Sequence, residues 1–318
     1  MAPSERRQED RRVDLSVSEF HALFREVSTW GGWDERPELG ALNHLTPDRI
    51  AAAVRLVRRG VTVTLGRPLN THEGPDNPRP ARHEMTLLHD VDIGFGRVRF
   101  TKDYIGLDYH NEEHSHIDAL CHVAYDDLLY DGRSTAEVTV RGAAAETIEV
   151  LRNGLVGRGV LLDIPRVRGV RWLEPGEFVF VDDLEAAEQE QGVHVDAGDV
   201  LLVRTGHARR LAAFGPWDTT TSKAGLHPET TRFLADRRVA ALGSDGNSDA
   251  APSATEDVAF PIHVLAINAM GIHLLDYLQF EDLVPLCEQH ERWEFLFVAA
   301  PLRISGGTGS PVNPIAIL

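Results

Sequence analysis

The chain has 318 residues, of which 42% are hydrophobic and 25% charged, values close to those of globular proteins. Asp and Glu outnumber Lys and Arg by 49 to 32, and the resulting net charge of −17 argues against binding to nucleic acid or to an anionic membrane. The chain contains no apolar run of roughly eighteen residues that could span a bilayer, and its first residues lack the apolar core of a secretory signal. Its two cysteines, Cys121 and Cys287, are far apart in sequence, which is typical of a reducing compartment and predicts a cytoplasmic protein.

The first part of the chain predicts two helices, a strand and a long loop. Residues 1–14 are charged and lack periodicity, so we expect them to be frayed or disordered. An amphipathic pattern predicts a short helix over 15–27, and the cap-like Thr46 followed by a proline predicts a second helix over 46–59. The alternating segment VTVTLGRPL predicts a strand, and the Pro-rich residues 70–84 predict a loop.

Strands and helices alternate over the rest of the chain. Strand-like segments lie near residues 98–105 and 114–120, and apolar runs predict buried strands in GRGVLLDIP, DAGDVLLVRTG, VAALGSD and EFLFVAAPLRI. Helices are predicted over 181–191, 228–237 and 281–290, whereas residues 263–269 fit either a helix or a strand. Because the composition never changes abruptly, the pattern predicts one α/β domain over 15–318.

The segment YHNEEHSHIDALCHV, residues 109–123, carries most of the candidate chemistry. Side chains alternate along an extended strand, so even-numbered positions would share one face. Six of the seven even positions can bind a metal or move a proton: His110, Glu112, His114, His116, Asp118 and His122, with Leu120 as the seventh. Imidazole and carboxylate ligands favour a divalent metal such as zinc or manganese, although a solvated histidine network would have the same pattern.

The residues SHIDALCH, 115–122, resemble the signature H-x-G-T-H-x-D-x-P-x-H of the metal-dependent cyclase family, which includes bacterial kynurenine formamidases and isatin hydrolase. Further similar segments are WDERPELGALNHLTPDRI, GSDGNSDAAPS and EFLFVAAPLRISGGTGSPVNP, so the resemblance covers about residues 28–318 and is greatest to long actinobacterial-type members. It implies the cyclase-family α/β fold, a swivelling β/β/α-type core with mixed sheets and outer helices. It also implies a homodimer or homotetramer.

The resemblance assigns roles to individual residues. It implies that His116 and Asp118 bind metal and that His122 acts as general base or proton shuttle. Glu112 stands where the family has its first ligand histidine, so Glu112, His114 or His110 would complete the site. We favour His114, because it lies one same-face step from His116.

A second ion in the family is held by a distal histidine and a glutamate, which correspond to His263 and Asp276. The aspartate is one methylene shorter, so we expect one strong metal site and a weak or empty second one. A core histidine and a helix cap are the structural alternatives for these two residues. The sequence also suggests Trp33 and Asp249 as substrate-pocket residues, although Trp33 could belong to the core and Asp249 to a simple turn.

These features predict metal-dependent hydrolysis of a small amide, either an N-formyl arylamine or a cyclic amide or imide. A metal-activated water would attack the carbonyl, and His122 would pass a proton to the leaving nitrogen. Two alternatives remain: a cyclase that acts on a polyketide-like substrate, and a metal-binding protein with a degenerate catalytic site. The partner in each enzymatic case is a small molecule.

Overall fold

The computed structural model describes residues 14–318. Apart from Asp14, the predicted frayed segment 1–14 lies outside the described residues. The helices are α1 (Val17–Val27), α2 (Pro47–Val54), α3 (Ile164–Arg168), α4 (Val181–Gln191), α5 (His207–Phe214), α6 (Thr230–Arg237), α7 (Pro261–His263), which continues as a π-helix (Val264–Ala269), and α8 (Val284–His290). Short 3-10 helices cover Pro37–His44, Leu120–His122, Tyr130–Gly132, Thr135–Glu137 and Ile148–Leu151. None of the helices in the described part of the chain is long and apolar enough to cross a membrane.

Nine strands form one mixed sheet: β1 (Thr62–Thr64), β4 (His116–Asp118), β7 (Leu155–Asp163), β9 (Val200–Arg204), β11 (Ala241–Ser244), β12 (His273–Asp276), β13 (Glu294–Ala299), β14 (Gly309–Pro311) and β15 (Ile315–Ile317). Their order in the sheet is β1-β15-β13-β7-β9-β11-β12-β4-β14. Strands β7, β9, β11 and β12 run parallel, and the flanking pairs are antiparallel. The remaining strands form three two-stranded sheets: β2 (Arg82–Leu87) with β3 (Lys102–Gly106), β5 (Val138–Thr139) with β6 (Gly142–Ala143), and β8 (Phe178–Val179) with β10 (Gly225–Leu226).

The central strands are buried on both faces of the large sheet. In β9, Leu201 and Val203 pack into one apolar cluster, whereas Val200 and Leu202 pack into a second. Because parallel strands covered on both sides need no polar face, their sequences are continuous apolar runs. These runs therefore predicted the strands correctly, and the predicted α/β class with mixed sheet and outer helices is confirmed.

Two local predictions need correction, and one alternative that the sequence left open is decided. The strand expected over 114–120 is only three residues long, and residues 120–122 turn into a 3-10 helix instead. The helix expected over 46–59 begins at its Thr46 cap but ends at Val54. Residues 263–269, which fitted a helix or a strand, are helical.

Candidate metal centre

The centre is built on the pairing of β4 with β12. These strands are antiparallel, with His116 opposite Asp276 and Ile117 opposite Leu275. Because side chains alternate along each strand, His116 and Asp276 project together on one side, whereas Ile117 and Leu275 enter the apolar cluster on the other. Asp118 lies two residues from His116 and shares its side of the sheet.

Asp118 lies at the middle of the cluster and is fully buried. Its Oδ1 is 2.9 Å from His110 Nδ1 and 3.6 Å from His116 Nε2, and its Oδ2 is 3.6 Å from His263 Nε2. Burial opposes ionisation, but the interactions with the neighbouring imidazoles of His122, His116 and His110 favour the carboxylate and hold the pKa of Asp118 well below its usual value. Among the described residues, neither carboxylate oxygen has a hydrogen-bond partner of good geometry.

The two carboxylate oxygens of Asp276 differ in their hydrogen bonds. The backbone N–H and the hydroxyl of Ser248 donate to its Oδ1 at 3.2 and 2.9 Å. Its Oδ2 is 3.3 Å from His263 Nε2 and lacks a hydrogen-bond partner among the residues described. The hydroxyl and amide thus fix the carboxylate so that its free oxygen faces the cluster.

Asp249 orients His263 through the ring nitrogen that faces away from Asp118 and Asp276. His263 Nδ1 donates to Asp249 Oδ2 at 2.6 Å, and the same carboxylate accepts the backbone N–H groups of Ile262 and His263. This leaves His263 Nε2 directed at Asp118 and Asp276. Asp249 is completely buried, so it is a positioning residue rather than the pocket residue that the sequence suggested.

His122 and His110 stack face to face, with ring centroids 3.9 Å apart and planes within 5°. Burial is the main cause that lowers the pKa of His122 to about 4, so its ring is neutral near pH 7. His110 Nε2 lies 3.0 Å from the Thr308 hydroxyl, which fixes the plane of the ring pair. A neutral imidazole in this position can either bind a metal or accept a proton.

The expectation that all the even-numbered side chains share one strand face is wrong. Residues 109–115 are not a strand, because Asn111 Oδ1 accepts the backbone N–H groups of Glu113 and His114 in a local turn. His114 is directed away from Asp118: its ring nitrogens lie 2.7 Å from Asn111 Nδ2 and 3.2 Å from the Asn70 carbonyl oxygen. Of the three candidates for the first ligand, the structure brings His110 to Asp118.

Glu112 takes part in a different network. Its Oε2 accepts a hydrogen bond from Lys223 Nζ at 2.7 Å and another from the Tyr277 hydroxyl. Lys223 is one of only two lysines in the chain, and its side chain is 1% exposed. Neither Lys223 nor Glu112 belongs to the two groups of candidate ligands, so this ion pair lies beside the centre. Sequence reasoning missed Lys223: its rarity was visible, but nothing in the sequence indicated its partner.

A cavity of about 500 Å³ opens in front of the cluster. Its polar end is formed by His110, Glu112, His116, His122 and His263, and its apolar wall by Val123, Tyr125, Val258, Phe260 and Val264. Trp33 lies elsewhere: its ring packs against His44, and its indole N–H donates to the Tyr130 hydroxyl. The predicted pocket role of Trp33 is therefore not supported, and Phe260 and Tyr125 supply the aromatic surface.

The donor set fits a divalent metal ion. Two groups of three candidate ligands, His110–Asp118–His122 and His116–Asp118–Asp276, each have their ligand atoms within 4.8 Å of one another. Buried carboxylate oxygens without protein donors are costly unless a cation binds them, and mixed imidazole and carboxylate ligation suits zinc or manganese. Because both groups contain Asp118, this carboxylate could serve either of two positions.

Comparison with known proteins places this chain in a family. The model of a family described as "Putative cyclase" matches residues 83–249, more than half of the chain. A solved structure described as a novel cyclase is 31% identical, with a TM-score of 0.82 over 92% of this chain and 100% of that one. An isatin hydrolase bound to the product analogue thioisatinate has the same fold at 23% identity, with a TM-score of 0.57 over 81% of this chain and 92% of that one.

A sequence relative is the isatin hydrolase of Roseibium aggregatum, 29% identical over 152 residues. That match covers 46% of this chain and 54% of the relative, so it spans about half the length of the curated protein. The family resemblance noted in the sequence is confirmed by the family match and by the solved cyclase. This chain belongs to the cyclase family.

Proposed function

We propose that the protein is a metal-dependent hydrolase of a small amide, either an N-formyl arylamine or a cyclic amide or imide. The observation that carries the proposal is Asp118: a fully buried carboxylate whose two oxygens have no hydrogen-bond partner of good geometry among the described residues, surrounded by imidazoles beside a cavity. The relatives named isatin hydrolase support hydrolysis as the reaction class.

The ligands in this proposal are His116, Asp118 and Asp276, with His110 in place of the missing first histidine and His263 directed at the same carboxylates. A divalent ion supplies a Lewis acid and lowers the pKa of a water molecule. We keep the expectation of one strong site and a weaker second one, to be tested by counting ions per chain. Zinc and manganese are the two candidate metals.

His122 moves the proton in this mechanism. Its neutral ring accepts a proton from the attacking water and returns it to the leaving nitrogen as the C–N bond breaks. The stacked ring of His110 restricts the orientation of His122. Tyr125 and Phe260 on the cavity wall bind the apolar body of the substrate, which suits an aryl group.

The test combines metal analysis with a panel of substrates. We expect the purified protein to contain a divalent ion and to open or deformylate at least one member of a panel of N-formyl arylamines, cyclic amides and imides. Chelation should abolish turnover, and added zinc or manganese should restore it. A fully metal-loaded protein that hydrolyses no member of the panel would refute the proposal.

His122→Gln separates a proton carrier from a ligand. The variant should keep its metal while kcat falls by about a hundredfold or more, the usual contribution of a positioned acid or base. Loss of the metal together with the imidazole would show that His122 is a ligand, as the group His110–Asp118–His122 also allows.

A cyclase that acts on a polyketide-like chain is the second candidate. It is favoured by the family description and by the apolar wall of the cavity, which could bind a folded carbon chain. The two functions differ in water consumption: hydrolysis incorporates one oxygen from labelled water into the product, whereas carbon–carbon cyclisation incorporates none.

A further inference from the structure

One carboxylate at the polar end of the cavity belongs to neither group of candidate ligands. Glu112 lines the cavity together with His110 and His116, and its side chain is 16% exposed. The Lys223 ammonium and the Tyr277 hydroxyl both donate to its Oε2. No donor among the described residues contacts its Oε1. This second oxygen is therefore an acceptor that remains available to a molecule in the cavity.

Two buried side chains hold Glu112 in this position. The Lys223 side chain is 1% exposed, and Tyr277 is completely buried directly after Asp276. Tyr277 has a φ of 55°, a left-handed conformation that a residue other than glycine adopts only at a cost in free energy. A buried ion pair is often no more stable than two apolar side chains of similar size. The consequence of this pair is thus mainly geometric, since it binds one oxygen of Glu112 and leaves the other to the cavity.

Lys223 also contacts the aromatic wall of the cavity. Its Nζ lies 5.4 Å from the centroid of the Phe260 ring, within the range of a cation–π interaction. The same ammonium group lies 2.7 Å from Glu112 Oε2, so it fixes the carboxylate close to an aromatic ring. A ligand that packs an aryl group on Phe260 can therefore place a substituent of that group against Glu112 Oε1.

The charges around the cavity favour a basic N–H donor over an anion. In the described part of the chain no arginine or lysine lines the cavity, whereas Glu112 and Asp257 do. Lys223 is too deeply buried to meet a ligand. The charge of one divalent ion would be balanced by the carboxylates of Asp118 and Asp276. An ammonium or amidinium group would find an acceptor of opposite charge at Glu112, whereas a second carboxylate would be repelled.

We propose that Glu112 is a specificity-determining residue, which selects substrates whose aryl group carries a basic N–H donor such as an amino or amidino group. Lys223 is the residue that positions it. This inference rests on the proposed function, because it names a substituent on the substrate that the hydrolase would cleave. Recognition of the substituent is nevertheless a binding event, and it is measurable without turnover.

The first test measures the binding of two aryl probes to the zinc-loaded protein by calorimetry. Benzamidinium and benzamide have nearly the same shape, but benzamidinium is a cation with N–H donors, whereas benzamide is neutral and has a carbonyl acceptor. Wild-type protein should bind benzamidinium about tenfold more tightly or better, as expected for a hydrogen bond to a charged group. In Glu112→Gln, Lys223 and Tyr277 would donate to the amide oxygen and leave its NH₂ group to the cavity. The preference should then disappear.

A control variant separates Glu112 from the general acidity of the cavity. Asp257→Asn removes the same formal charge from an exposed side chain that also lines the cavity, and it should keep the preference of the wild type. Metal content and the circular dichroism spectrum show whether each variant is folded. If Glu112→Gln does not fold, Glu112→Gln combined with Lys223→Met leaves no buried charge unpaired, and this double variant should also lack the preference.

The second test compares turnover of two formanilides, one with an ortho aminomethyl group and one with an ethyl group of similar shape. The aminomethyl substrate should have a kcat/KM about tenfold higher in the wild type, mainly through KM, and this advantage should be lost in Glu112→Gln. A purely structural role of Glu112 would instead change both substrates equally.

The inference and the proposed function can fail separately. Equal binding of the two probes by the wild type, a preference that survives in Glu112→Gln, or a preference lost in Asp257→Asn would each overturn the role of Glu112, whatever the protein hydrolyses. A preference that depends on Glu112, in a metal-loaded protein that hydrolyses no amide, would support the recognition site and refute the hydrolase.

Discussion

At the scale of single residues, Asp118 is the side chain on which metal binding depends most. Both of its oxygens are buried without hydrogen-bond partners among the described residues, and three histidine nitrogens lie within 3.6 Å of them. An asparagine has the same shape but offers only one oxygen and no charge. Replacing Asp118 therefore tests the metal while leaving the packing nearly unchanged.

We expect Asp118→Asn to lose most of its bound metal and its response to chelators. A ligand present at a hundred times its Kd stabilises the folded state by about 2.7 kcal/mol, so chelation should lower the Tm of the wild-type protein by several degrees. The Tm of Asp118→Asn should not change when a chelator is added. Asp257→Asn is the control, since Asp257 also lines the cavity but belongs to neither ligand group. A chelator response in Asp118→Asn equal to that of the wild type would contradict the assignment.

Asp249 acts on the metal only through His263. Its carboxylate accepts His263 Nδ1–H at 2.6 Å and thereby fixes which ring nitrogen faces the centre. Asp249→Asn should weaken metal binding by about 10- to 100-fold, as expected for a residue that orients a ligand. A competition titration against a coloured chelator measures this, and His263→Ala sets the upper limit of the loss. Unchanged affinity in Asp249→Asn would show that this hydrogen bond does not support metal binding, and unchanged affinity in His263→Ala would show that His263 does not bind the metal.

At the scale of elements, the sequence predicted the buried strands better than the site. The apolar runs in β7, β9 and β11 are visible in the local sequence, because a strand that is covered on both faces has apolar side chains at successive positions. Alternation also placed His116 and Asp118 correctly on one side of β4. It failed for His114, because the Asn111 turn interrupts the extended chain, and no periodicity reveals that side-chain hydrogen bond.

The pairing of β4 with β12 could not be predicted from local pattern. It brings His116 opposite Asp276, which is 160 positions further along the chain, and long-range pairing leaves no trace in the periodicity of either segment. The family resemblance supplied His263 and Asp276 as candidates, but their contact with Asp118 required the structure. The contact of Asp249 with His263 also required the structure, because the sequence around Asp249 is typical of a simple turn.

The Lys223–Glu112 pair ties the loop before β4 to the segment before β10. Lys223 is 1% exposed and Glu112 16% exposed, so loss of the carboxylate leaves the more deeply buried charge unpaired. In metal-free protein we expect Glu112→Gln to lower the free energy of unfolding by about 3–5 kcal/mol and Lys223→Met to lower it by less. The double variant should be more stable than Glu112→Gln alone, as a denaturant double-mutant cycle would show. Additive losses would contradict a direct ion pair.

At the scale of the whole molecule, the centre lies where the sheet changes from parallel to antiparallel. Strand β12 is parallel to β11 but antiparallel to β4. Asp276 is the last residue of β12, and Asp249 follows the end of β11, so the carboxyl ends of two parallel strands converge on the ligands of β4. Such an edge is the usual position of a site in an α/β sheet, because the loops that leave it can carry polar side chains without disturbing the core.

A buried carboxyl outside this centre affects the stability of the whole fold. Glu146 is 3% exposed, and its Oε2 has no hydrogen-bond partner among the residues the structure describes. Burial is the main cause that raises the pKa of Glu146 from 4.5 to about 8, and the guanidinium of Arg133, 3.5 Å away, offsets this only in part.

The sign of the pH dependence follows from proton uptake on folding. Between pH 4.5 and about 8 the folded chain holds a proton on Glu146 that the unfolded chain has released, so stability falls as the pH rises through this range. Glu146→Gln removes this contribution and should be more stable than the wild type at pH 8, by an amount on the order of 1–3 kcal/mol, with little gain at pH 5. Urea unfolding of metal-free protein at both pH values measures it. Glu137→Gln, which alters a more exposed partner of Arg133 and removes only the smallest of the causes that raise the pKa of Glu146, should change the wild-type slope little. Burial also raises the pKa of Asp199, to about 7, so some slope below pH 7 should remain in Glu146→Gln. Parallel curves for Glu146→Gln and the wild type would show that Glu146 does not titrate in this range.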